Sequence, residues 1–150
     1  MARMFGSIVV GTDGSTTAQE AVRQAVELAK TVDARIHLVS AYEPVSNTRL
    51  QKEREQVPED AQWMINARED VDAALKDAAE SLEEEGLTVD RYAREGDPAD
   101  AILDVAEETN ADLIVVGNKG MTGAKRFLLG SVPNKVSHHA PCSVMIIRTT

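Results

Sequence analysis

Short apolar runs alternate with stretches of helical periodicity along the chain, and this alternation leaves few folds open. The runs are SIVVGT at residues 7–12, RIHLVSAY at 35–42, DLIVVG at 112–117 and SVMIIR at 143–148. A weaker fifth, at residues 88–94, alternates apolar and polar side chains. Runs this short, rich in Val and Ile and closed by turn residues, read as strands. Strands that alternate with helices form a parallel sheet with helices on both faces, and right-handed crossovers make it doubly wound. The expected fold is α/β, a single domain over residues 1–150 with five strands and four helices.

The helices carry their own signals. Ala18, Ala21, Val22, Ala25, Val26 and Ala29 recur at helical spacing, and Thr17 with Glu20 has capping-box form. Residues 43–58 are polar, bracketed by prolines and without an apolar stripe, which predicts a long loop. A helix is expected from about residue 59 to residue 85. Met64, Ala67, Val71, Ala74, Leu75, Ala78 and Leu82 form its buried face, Trp63 packs on it, and Gly86 is its C-cap glycine. Glu83 to Glu85 read as a solvated end. Gly96, Asp97 and Pro98 make a turn with proline at the next helix start. A short helix runs from residue 131 to about residue 139.

Charge narrows the function classes. The chain carries 25 acidic and 16 basic residues, a formal net charge of -9, which argues against nucleic acid or an anionic membrane surface as partner. The distribution is uneven. No acid follows Asp112, whereas Lys119, Lys125, Arg126, Lys135 and Arg148 do. A basic tail on an acidic chain points to an anionic ligand or to packing against acidic helices. The single cysteine, Cys142, can form no intramolecular disulfide and reads as a small core hydrophobe. No leader-like segment and no run long enough to span a membrane occurs, so a cytoplasmic protein is expected.

The basic tail contains a glycine-rich stretch, GNKGMTGAKRFLLGSV, spaced G-x2-G-x9-G-S from Gly117 through Gly120 to Gly130 and Ser131. It matches neither the Walker A loop nor the dinucleotide fingerprint. The same physics still applies. Glycines admit close backbone approach, and the free N–H groups at a helix start, around Gly130, Ser131 and Val132, attract anions. One helix terminus contributes only about 0.3–2 kcal/mol toward an anion, so several donors and a base such as Lys119 must converge to hold a phosphate.

That spacing resembles the nucleotide-binding signature of the universal stress protein family. IVVGTDGS at residues 8–15, AREGDPADAILDVAEETNADLIVVG at 93–117 and the closing APCSVMIIR are also similar to it, so the resemblance covers nearly the whole chain. It implies a Rossmann-like sheet of order 3-2-1-4-5, related to adenine nucleotide alpha hydrolases, and a homodimer joined through the last strand, residues 143–148. It implies ATP, with Mg2+, at Gly117, Gly120, Gly130, Ser131 and Val132 for ribose and phosphates. Asp13 would meet the ribose or the metal, and the backbone at Ala41 the adenine. Thr12 and Lys119 are added by their position. Pro133 departs from the pattern, because many members have Ser or Thr there and proline has no N–H. A nucleotide with fewer phosphates, including cyclic AMP, therefore stays open.

Other residues offer little chemistry. Asp13 alone reads equally as a turn residue. His138 and His139 are adjacent and diverge on a helix, so they suit a metal poorly. No Ser-His-Asp order with supporting context and no arginine finger is legible. The expectation is a regulatory nucleotide sensor in stress adaptation with little or no hydrolysis. A weak ATPase and a nucleotide-independent interaction dimer are its rivals.

Overall fold

The computed structural model describes residues 5–13, 16–42, 68–118 and 130–148. The loop expected at 43–58, the first turns of the helix expected from 59, Trp63 and Met64 lie outside these residues. The described elements follow in the order β1 (Ser7–Gly11), α1 (Thr16–Val32), β2 (Arg35–Tyr42), α2 (Arg68–Glu84), β3 (Val89–Glu95), α3 (Pro98–Glu108), β4 (Leu113–Gly117), α4 (Ser131–His139) and β5 (Ser143–Ile147). The five strands form one sheet of order β3-β2-β1-β4-β5, with every pairing parallel.

The alternation of side chains along each strand builds two cores. On one face Ile8, Val10, Ile36, Leu38, Leu113 and Val115 pack under α1 and α2. On the other, Val9, Val39, Ile114 and Val116 pack under α3 and α4. Strands covered on both faces must be apolar at nearly every position, as β1 and β4 are. β3 is at the sheet edge and only half-buried, hence its mixed sequence.

Helix ends return the chain to the sheet. After α2, Gly86 takes φ +92, its N–H donates to Glu83 O at 2.9 Å, and Leu87 N–H donates to Leu82 O at 3.3 Å. This is the Schellman closure expected of the C-cap glycine. α1 and α3 end with Asp33 and Asn110 in the same left-handed region, at φ 58 and φ 51. At the other end of α3, Asp97 accepts the Asp100 N–H at 3.0 Å and Pro98 occupies the first turn, as the turn motif predicts. The capping box expected at Thr17 would start the helix one residue later than it does. α1 already begins at Thr16, and the Glu20 carboxylate accepts from Arg23 and Gln24.

Candidate functional site

In a sheet of this order the crossover from β1 leads one way, to β2, and the crossover from β4 leads the other way, to β5. The carboxyl ends of these two neighbours therefore flank a crevice that no crossover fills. Thr12 and Asp13 leave β1 there, with the Thr12 N–H held by Val39 O at 2.9 Å. Ala41 lies near the carboxyl end of β2, half-buried. Gly117 closes β4. The Asn118 N–H extends the ladder to Ile147 O at 2.9 Å, and the Gly130 N–H donates to Asn118 O at 3.0 Å. The two ends of the glycine-rich segment are thus stitched together, and the first turn of α4 stands beside the exit of β4. Lys119 and Gly120 lie outside the described residues.

The N–H groups at the start of α4 are not all free. Gly130 is the N-cap, at φ -63 and ψ 163, with no side-chain cap. Its own N–H, expected to face a ligand, is consumed by Asn118 O. The Asn134 N–H closes the first turn on Gly130 O at 3.0 Å. Pro133 has no N–H and is buried instead. The Ser131 and Val132 amides remain, with no acceptor among the described residues. Two such amides beside an exposed serine at a helix start can serve an oxyanion.

Two residues of the site were not legible as such. Gly11, the last of β1, lies under α3. A Cβ there would stand 2.5 Å from Ile102 Cδ1 and 3.1 Å from Ile102 Cγ1. Glycine at the strand exit lets α3 close on the sheet, and its only sequence signal is its place in VVGTDG. The Asn118 backbone bonds to both Ile147 and Gly130, a junction that no side-chain pattern announces.

The basic tail resolves into different uses. Lys135, on α4, contacts Asp100 Oδ1 at 2.9 Å and Asp97 Oδ2 at 3.4 Å on α3. The hydrogen bond that Lys135 donates to Asp100, with desolvation opposing it, moves the lysine pKa up. This base follows the packing alternative, tying two helices together. Lys125 and Arg126 lie outside the described residues. His138 and His139 are exposed in the last turn of α4, and no group of three His, Cys, Asp or Glu among the described residues could hold a metal. Cys142 packs against the α3/α4 core, and burial pushes its thiol pKa up. No described helix is long and apolar enough to cross a membrane.

Comparison with known proteins agrees with this architecture. The model of the universal stress protein family matches residues 4–148. A universal stress protein of Mycobacterium tuberculosis is 35% identical over 147 residues, covering 97% of this chain and 98% of its own. One from Bacillus subtilis is 35% identical over 150 residues, covering 97% and 100%. A crystal structure of a universal stress protein in complex with cAMP shares 33% identity. It superposes with a TM-score of 0.73 over 98% of this chain and 99% of its own.

Proposed function

The chain belongs to the universal stress protein family, and on that premise we propose that it is a regulatory adenine-nucleotide sensor. The observation that carries this reading is the pair of amides at Ser131 and Val132, without acceptors among the described residues, beside the crevice between β1 and β4. The phosphates sit on these amides and the Ser131 hydroxyl, with Gly117 and Gly120 admitting the backbone and Lys119 supplying charge. Thr12 and Asp13 meet the ribose, and the Ala41 backbone meets the adenine. ATP is the nucleotide this reading assigns, with little or no hydrolysis.

Mg2+ enters only with the nucleotide. The described residues offer no three-carboxylate cage, and Mg2+ is commonly held by one or two carboxylates plus substrate phosphates. Asp13 fits as that single protein ligand, and the ion would offset phosphate charge. Two copies pair through β5, whose outer edge is unpaired among the described strands and carries Met145, 38% exposed.

Cyclic AMP is the second reading. Pro133 withdraws one donor and Asn118 another, leaving a cradle suited to a single phosphate. The cAMP-bound relative at 33% identity supports it. The test is mass spectrometry of small molecules released from natively purified protein, followed by calorimetric titration with ATP, ATP plus Mg2+, and cyclic AMP. ATP released and titrating, tighter with Mg2+, supports the first reading. Cyclic AMP displacing ATP supports the second. No binding of either overturns both and leaves an interaction dimer.

A further inference from the structure

A second cluster of chemistry lies at the opposite, amino end of the sheet. His37 on β2 is the one buried polar side chain among the described residues, 5% exposed. Its Nε2 is 3.0 Å from the Ser7 hydroxyl on β1. Its Nδ1 is 3.3 Å from the Tyr92 hydroxyl and 3.5 Å from Asp90 Oδ2, both on β3. Parallel register brings them together, since His37 pairs with Val9 on one side and Asp90 on the other. Arg35 holds the Asp90 carboxylate through Nε at 2.6 Å and Nη2 at 3.1 Å. Ser7 is fixed by its own backbone. Its N–H donates to Asp112 Oδ2 at 3.0 Å, and its C=O accepts the Asp112 N–H at 2.9 Å.

We infer that Ser7 is a nucleophilic serine, activated by His37, that takes acyl groups from small activated carboxylic esters. A hydroxyl within hydrogen-bond reach of an imidazole, itself oriented by a third group, is the arrangement that nucleophilic catalysis requires. The Tyr92 hydroxyl, 3.3 Å from Nδ1, and the Asp90 carboxylate, 3.5 Å away, can both accept a proton carried on that nitrogen, the tautomer that leaves the Nε2 lone pair for Ser7. Burial lowers the pKa of His37 and Arg35 adds to it, against the opposing pull of Asp90, so the imidazole is neutral near pH 7. Ser7 itself stays partly exposed. In the step, Ser7 Oγ bonds to the carbonyl carbon as its proton passes to Nε2. The bond to the leaving oxygen then breaks, and that oxygen takes the proton from Nε2. The products are an ester on Ser7 and an alcohol. Asp90 is a positioning residue.

The test is incubation with p-nitrophenyl acetate and with a fluorophosphonate, followed by peptide mapping of the full chain. The expected result is one acyl group on Ser7, absent in Ser7→Ala. In His37→Gln the rate falls at least about a hundredfold, the lower end of what a positioned base supplies. Ser81→Ala, a change on the exposed face of α2, reacts like wild type. In Asp90→Asn the inflection of rate against pH moves to lower pH, because the charge that sustains the imidazolium is gone. Labelling that misses Ser7, or a His37→Gln rate equal to wild type, overturns the inference.

Discussion

At the carboxyl end of the sheet the polar groups left over are backbone amides. At the amino end they are side chains, and they have partners. Ser131 and Val132 offer N–H groups with no acceptor among the described residues, whereas the His37 ring is held by Ser7 and Tyr92. A buried polar group left unmatched costs about 1–3 kcal/mol. The structure avoids that cost at the amino end, while the carboxyl end keeps its amides at a crevice where a ligand or water can complete them. The same parallel sheet thus carries an open, backbone-made end and a closed, side-chain-made end.

The contrast breaks most visibly at Ser131. Ser131→Asp places a carboxylate at the start of α4, where a negative charge favours the helix. The same charge repels a phosphate by about 4 kcal/mol at 4 Å in a moderately polar surround. Affinity for the nucleotide should drop by about a hundredfold, roughly 2.7 kcal/mol, with the melting temperature unchanged or raised. Calorimetry beside a thermal melt reads both. Unchanged affinity would remove Ser131 from the anion site.

Next in size is Gly11→Ala, which tests whether the open end also depends on close packing. The new Cβ would meet Ile102 Cδ1 at 2.5 Å. Overpacking of this kind costs about 1–3 kcal/mol. Ile102→Val deletes the offending atom, and alone costs about 0.5–1.5 kcal/mol. Denaturant unfolding of the double variant should give less than the sum of the two, since touching residues couple. Strict additivity would show that Gly11 has another role.

The fold was legible because its signals are local. β2 falls on residues 35–42 and α4 on 131–139, as expected, because an apolar run and a glycine-serine start mark them. The strand order came from resemblance and agrees with the structure. The helix start that carries the proposed anion donors, the amides of Ser131 and Val132, was legible because it is marked by consecutive residues. The site was illegible where two distant backbones meet, as when Asn118 takes the Gly130 N–H. The amino-end cluster escaped for the same reason. His37 is 30 residues from Ser7 and 55 from Tyr92, and no periodicity spans such gaps. No supporting context for a Ser-His-Asp arrangement could be read before the register placed β1, β2 and β3 side by side.

The closed end predicts a smaller, pH-dependent effect. The pKa of His37 lies below its ordinary 6.5 in the folded chain. The unfolded chain therefore binds the proton first as pH falls. The contribution of His37 is full above about pH 6.5 and is lost as pH drops from there through the folded value. Tyr92, Asp90, Arg35 and the Arg94–Glu108 pair surround this part of the sheet. Unfolding free energy measured from pH 7 to pH 5 should fall less steeply in His37→Gln than in wild type. Equal slopes would show that the buried ring keeps its proton as readily as a free one.

The smallest effect is expected at Lys135, and its smallness is informative. As a base on the helix whose start is the proposed anion site, it would draw the phosphates if charge near that site were enough. Its ammonium instead faces Asp97 and Asp100 on α3, with 44% of the side chain exposed. Exposed pairs of this kind add little to stability. Lys135→Met should leave both the melting temperature and the nucleotide affinity at their wild-type values. A loss of affinity with the melting temperature unchanged would mean that the ammonium leaves α3 for the nucleotide. The first turn of α4 would then act through a side chain as well as through its amides, and the two ends of the sheet would be less different than their backbones suggest.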